Sequence, residues 1–377
     1  MHYLDHAATA PVREEVAEAV RKELVDGWGN PSSQYAIGRE AAERVAAYRE
    51  TIAKALGGKA DRLYFTSCGT ESDNWAIRLA LYQNRRVGKH IITTAIEHSA
   101  VRSLCKELQQ CGYEVTVLAP DREGVITAEQ VAEALREDTA LVSMMLVNNE
   151  LGTVQPVEEV AALLKERRSA ALLHTDAVQA FMEIPFSVEE LGADLVAVSA
   201  HKIGAPKGIG ALYMGSRIKN PQALLYGGGQ EKGLRPGTEA TAQIAGFAKA
   251  VELRSADLQR DMLQMHSLKG YAMEQMEEME GVELLPTGWA PHILPFSLVG
   301  YPSQNVVTDL SEKGIYISAG SACHQGKASH VIEALRLPKK VAAGALRVSF
   351  GPDSSKADVD ALLAALKEHQ KSRFPML

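Results

Sequence analysis

The chain has 377 residues, 46% apolar and 23% charged, a globular composition that excludes a disordered or collagen-like protein. Forty lysines and arginines against 47 acids give a net charge of −7, and with no basic run that balance argues against a nucleic-acid surface. No apolar stretch reaches the roughly 18 residues that span a bilayer, and four cysteines are too few for a disulfide framework.

At roughly 100–200 residues per domain, this length predicts two. Met1 to Asp5 contain neither a basic nor an apolar run, so no secretory signal and a cytoplasmic location are expected. Ala42, Val45, Ala46, Ile52, Ala53 and Leu56 recur with helical spacing, and Gly57-Gly58 marks a stop. Short β-rich runs follow at 63–65, 90–94, 114–118, 141–147, 171–174, 195–198 and 210–214. Helical stretches at 100–110, 128–136 and 157–168 separate most of them. That alternation predicts an α/β fold with a mostly parallel sheet covered by helices on both faces. After Gly215 a glycine-rich loop leads to a helix over about 238–260, then to a helical, methionine-rich stretch over 262–279. The expected large domain is 15–255, and 1–14 with 256–377 form a smaller α+β domain. Five of the eleven methionines lie in 262–279 and read as core packing.

Functional groups in open α/β sheets gather at the carboxyl ends of strands. Four strand ends here carry polar clusters: 66–71, Glu97-His98, 174–179 and Ser199-Ala200-His201-Lys202. The turn at Ser67 to Thr70 leads into a helix. It reads either as a Ser/Thr cap or as an anion site at a helix amino terminus; no P-loop lysine follows. Lys202 follows the apolar run 195–198 and reads either as a surface lysine or as a desolvated, low-pKa Schiff-base lysine. Asp176 either caps a helix or keeps a pyridinium nitrogen protonated. Cys105 and Cys111 show no metal-ligand spacing and read as structural; no metal site is expected.

The order Cys-Gly-Thr-Glu-Ser-Asp-Asn (68–74), Glu-His (97–98), Asn-Asn-Glu (148–150), His-Thr-Asp-Ala-Val-Gln (174–179), Ser-Ala-His-Lys (199–202), Arg-Pro-Gly-Thr (235–238) and Gly-Ser-Ala-Cys (320–323) resembles the NifS/IscS-like cysteine desulfurases. These are fold-type I enzymes of the class V aminotransferase family, dependent on pyridoxal 5'-phosphate (PLP). The resemblance runs from Tyr3-Leu4-Asp5-His6-Ala7-Ala8-Thr9 to Arg347-Val348-Ser349-Phe350-Gly351.

It implies Lys202 as the Schiff-base lysine, Asp176 at the pyridinium nitrogen and Gln179 at the ring hydroxyl. His98 would stack on the ring and be available to move protons. Gly69, Thr70, Ser199 and His201 would hold the phosphate, with Thr238 reaching in from the second subunit of a homodimer. Asn149 and Arg347 would receive the substrate carboxylate, with Asn30 near the substrate. Cys323, in the small-residue stretch 318–326, would take the substrate sulfur as a persulfide and pass it to an acceptor protein. The implied reaction converts L-cysteine to L-alanine; iron–sulfur assembly, tRNA thiolation and cofactor biosynthesis are the candidate destinations of the sulfur. Selenocysteine lyases and class V aminotransferases share the fold, and a non-catalytic sulfur-assembly adaptor is the alternative of another class. Three features depart from the family pattern: Cys68 where glycine is usual, Ala319 where serine is common, and a shorter tail after Gly351.

Overall fold

The computed structural model describes residues 1–319 and 329–375. Among them the strands, in chain order, are β1 (His2–Tyr3), β2 (Leu63–Thr66), β3 (His90–Thr94), β4 (Glu114–Leu118), β5 (Thr139–Ser143), β6 (Leu172–Asp176), β7 (Leu195–Ser199), β8 (Gly210–Met214), β9 (Val282–Leu284), β10 (Ile293–Leu298), β11 (Ile315–Tyr316) and β12 (Ala345–Ser349). Seven form one sheet in the order β2-β8-β7-β6-β5-β3-β4. The β4-β3-β5-β6-β7 ladder is parallel, and β8 runs antiparallel to both β7 and β2. Every residue of β2, β3, β5, β6, β7 and β8 is buried, which is why these runs read as continuous apolar or β-branched stretches. Only the edge strand β4 is partly exposed. One apolar cluster lies on each face of the sheet, with Val142 and Val196 in one, and Leu141 and Leu195 in the other.

The expected helix over 42–56 spans Ala36–Ala55 and ends at Gly57, whose φ is +67°. A Cβ there would lie 2.5 Å from Ser187 Oγ, so conformation and space both call for glycine. The expected strand over 141–147 is shorter: β5 ends at Ser143, and Met144 to Val147 continue as buried backbone bridged to Val154.

The two helical stretches expected after residue 238 are one helix, Thr241–Glu277, of 37 residues and about 55 Å at 1.5 Å per residue. Its first half packs Ile244, Phe247 and Val251 into the large core. Its second half packs Met265, Leu268, Ala272 and Met276 into a separate core with Leu4, Phe296, Val348 and Leu362. The three-stranded sheet β12-β10-β9 and the pair β1-β11 belong to this second unit. Chain segments from both ends thus build it, and β12 delivers Arg347 toward the large sheet. No helix among the described residues is long and apolar enough to cross a membrane.

Candidate active site

A cleft of about 380 Å³ opens at the carboxyl ends of β6 and β7. It is lined by Gly69, Thr70, His98, Asn149, Asp176, Gln179, Ser199, His201, Lys202 and Arg347, so ten of the expected site residues converge there. Asn30 and Thr238 are exposed and do not line it. Cys323, with His324, lies outside the described residues.

Asp176 is the last residue of β6 and is buried. Its Oδ1 accepts from Val178 N at 2.9 Å, so it fixes the turn after the strand and does not cap a helix. Burial raises its pKa, against the opposing pull of His98, Val178 N–H and Lys202. Lys202 sits in a short 3₁₀ turn after β7, where Gly204 at φ +80° reverses the chain. Its Nζ donates to the Ala7 and Ala8 carbonyls at 2.7 and 3.0 Å. Burial, reinforced by Arg347, brings the amine down to about 8, while Asp5 and Asp176 pull the other way. This is a desolvated lysine facing a buried acid, not a surface one.

The helix Gly69–Gln83 begins at the cleft with no side-chain cap: Cys68 occupies the cap position and makes no cap bond. Glu71 instead accepts from Ser67 N at 2.8 Å and pairs with Arg235 at 2.8 Å. Ser199 Oγ, buried in the cleft wall, has no hydrogen-bond partner among the described residues. A Cβ on Gly69 would lie 2.8 Å from Val178 Cγ2, so only glycine leaves this corner open. An open helix amino terminus beside an unpartnered hydroxyl fits a phosphate. With a buried acid and a low-pKa lysine across the cleft, the residues present fit PLP.

His98 caps the helix Ser99–Gln110, its Nδ1 accepting from Ala100 N at 3.2 Å, which places the ring proton on Nε2. The ring is exposed at the cleft mouth. Gln179 Nε2 donates to the Ala7 carbonyl at 2.9 Å, and its Oε1 lies 3.4 Å from His292. His201 Nδ1 is 3.1 Å from Thr9 Oγ1, and burial takes this imidazole down to about 4. Arg347 Nη1 donates to the Asn149 carbonyl at 2.7 Å. Cys105 is buried and pushed up to about 12 by burial, and Cys111 is exposed; neither lines the cleft.

Sequence reasoning missed Asp5 and Asp73, which also line the cleft. Asp5 Oδ1 accepts from Arg347 Nη2 at 2.6 Å. Asp73 is buried on the helix that opens at Gly69, with His98 and Asp176 close by. Both acids lie inside motifs that carry the family resemblance, and an acid within an otherwise apolar helix face is the signal that could have found Asp73.

The class V aminotransferase model matches residues 2–362. The cysteine desulfurase IscS of Dictyoglomus turgidum is 40% identical over 97% of this chain and 93% of its own. A solved NifS-like protein superposes with a TM-score of 0.92 at 34% identity, over 98% of this chain and 99% of its own. A solved structure of SspA in complex with cysteine superposes with a TM-score of 0.82 at 32% identity, over 94% and 100%. With motif order, fold and cleft in agreement over nearly its whole length, the chain belongs to the class V aminotransferase family and, within it, to the cysteine desulfurases.

Proposed function

We propose that the protein is a PLP-dependent cysteine desulfurase that converts L-cysteine to L-alanine and passes the sulfur on through Cys323. The observation that carries this reading is the convergence, in one cleft, of a lysine lowered to about 8, a buried acid on the adjacent strand and a guanidinium held ready for a carboxylate. A cysteine complex of the similar SspA supports the same substrate class.

PLP, when bound, supplies the electron sink for the pair left as the substrate Cα proton departs. Ser199 Oγ and the N–H groups of Gly69 and Thr70 bind its phosphate, and Asp176 holds a negative charge toward the ring nitrogen. Lys202 anchors the cofactor at rest and acts as the base that accepts the Cα proton on Nζ. Arg347 binds the substrate carboxylate through its planar fork. His98, at the cleft mouth, would face the ring and carries a proton on Nε2. The Cys323 thiolate attacks the substrate sulfur. A sulfur–sulfur bond forms as the carbon–sulfur bond breaks, the electron pair stays with the carbon skeleton, and protonation releases alanine.

Thr238, exposed and outside the cleft of its own chain, suits a role in the neighbouring site of a two-fold homodimer. The persulfide then goes to an acceptor protein, with iron–sulfur cluster assembly, tRNA thiolation and cofactor biosynthesis as its candidate destinations. A cytoplasmic location is in keeping with this role.

The test is alanine formed from L-cysteine, with excess reductant, by the PLP-loaded protein and by Cys323→Ala. Alanine from the wild type alone is expected. No alanine from the loaded wild type overturns the reading and turns attention to transamination and selenocysteine. Equal alanine from both removes Cys323 from the mechanism.

A further inference from the structure

Three carboxyl groups are buried at the cleft: Asp73, Glu97 and Asp176 are 1%, 0% and 5% exposed, and Asp73 and Asp176 line it. The helix Gly69–Gln83 lays Asp73 against the sheet, and β6 turns His174 and Asp176 to the same face because they are two residues apart. Asp73 Oδ1 lies 3.4 Å from His174 Nε2, off the line of a hydrogen bond, and neither atom has another partner among the described residues. On its other side, ligand atoms of Asp73, His98 and Asp176 all lie within 4.8 Å of one another. The groups facing Asp73 are therefore His174 and Asp176 from β6, Glu97 and His98 from the segment after β3, and Cys68 from the start of its own helix. No lysine or arginine among the described residues pairs with Asp73 or Glu97.

Two adjacent buried carboxyls that no lysine or arginine bridges hold one proton between them. The surroundings decide which one keeps it. Besides His98, which lies near both acids, Asp176 has the Val178 N–H at 2.9 Å and the field of Lys202, and both favour its ionised form. Asp73 has neither. His174 Nδ1 is 2.9 Å from Ser143 Oγ; with the ring proton on that side, Nε2 is left as an acceptor toward Asp73.

We propose that Asp73 is a positioning residue that stays protonated beside the neutral His174 ring, and so keeps Asp176 as the one charged member of a buried acid pair. Burial and its acidic neighbours raise the Asp73 carboxyl well above the ordinary range, and burial holds His174 neutral with a pKa of about 3. The proposal rests on the reading that Asp176 faces the cofactor's ring nitrogen. It adds that the charge there is set by a second buried acid beside it.

The test is infrared spectroscopy of the PLP-loaded protein carrying carboxyl-labelled aspartate, which separates aspartyl signals from Glu97. A protonated aspartic-acid band is expected at pH 7 and should disappear in Asp73→Asn. No such band in the wild type, which needs no variant to fold, overturns the proposal, as does a band unchanged in Asp73→Asn. PLP affinity supplies the second readout. Asp73→Asn, a neutral donor of the same shape, should hold PLP within about threefold of wild type, and Asp73→Ala should lose tenfold or more. Equal loss in both variants overturns the charge argument. An Asp176→Asn variant with unchanged PLP affinity and absorbance would instead sink the ring-nitrogen reading, whatever the Asp73 band shows.

Discussion

Arg347 donates to Asp5 Oδ1 at 2.6 Å from one terminal nitrogen, and to the Asn149 carbonyl at 2.7 Å from the other. The guanidinium is thus oriented before substrate arrives, and it is buried, with 5% of its side chain exposed. Arg347→Lys keeps the charge but has a single ammonium where the fork made two directed bonds. Steady-state kinetics with L-cysteine should show KM raised at least about tenfold, equivalent to roughly 1.4 kcal/mol, with a smaller fall in kcat. A fall in kcat at constant KM would remove Arg347 from carboxylate binding.

The phosphate corner makes a graded prediction. Gly69→Ala places a methyl group 2.8 Å from Val178 Cγ2, against a branched side chain with little freedom to move. Ser199→Ala only removes a hydroxyl that has no partner among the described residues. Both should weaken PLP retention, measured by absorbance after dialysis, with Gly69→Ala the more severe. For Ser199→Ala the loss should be about tenfold or more, since a hydrogen bond to a charged group contributes about 1.5–3 kcal/mol. Full retention in Ser199→Ala would place the phosphate elsewhere.

Thr238 is the position that probes assembly. If it serves the partner's site, Thr238→Ala should weaken PLP retention while the dimer measured by sedimentation stays intact. Unchanged retention in an intact dimer removes the shared-site role, and a monomeric wild type removes its basis.

Much of this architecture was legible because burial leaves a pattern. β3 and β8 span the residues that composition predicts, since both-face burial demands unbroken apolar or β-branched runs, and β4 does so as a partly exposed edge strand. Helix continuity was harder to read. Two helical stretches were expected, but nothing between Arg254 and Met262 breaks a helix, and Thr241–Glu277 carries the chain from one core to the other unbroken. Lys202 and Asp176 stood out as reactive side chains at strand ends, and Arg347 was named by the family resemblance alone; all three line the cleft. Asp5 and Asp73 were not found, because their roles depend on partners far away in sequence: Asp5 meets Arg347 across 342 residues. Spacing along one chain does not encode such a contact.

Glu97 offers a test of the buried acids that does not depend on catalysis. Its Oε1 accepts from Thr94 Oγ1 at 2.8 Å and from Met145 N at 2.9 Å, while Oε2 has no partner among the described residues. Burial, to which Asp176 adds, raises the carboxyl from 4.5 to about 8, outweighing the two hydrogen bonds that pull it down. Between those values the folded chain keeps a proton that the unfolded chain has lost. The stability this gives is full below about pH 4.5 and is lost as pH rises through about 8. Glu97→Gln has no such ionisation, so the variant carries a constant offset from its unmet amide but no pH term. From pH 5 to pH 8 the wild type should therefore lose stability relative to Glu97→Gln, on the order of 3 kcal/mol if the full shift is expressed. Denaturant midpoints of the two PLP-loaded proteins at both pH values read this directly, because any pH dependence of cofactor binding common to both cancels. Parallel pH profiles would mean that Glu97 is ionised in the fold, and the carboxyl cluster would then need a cation that the described residues do not supply.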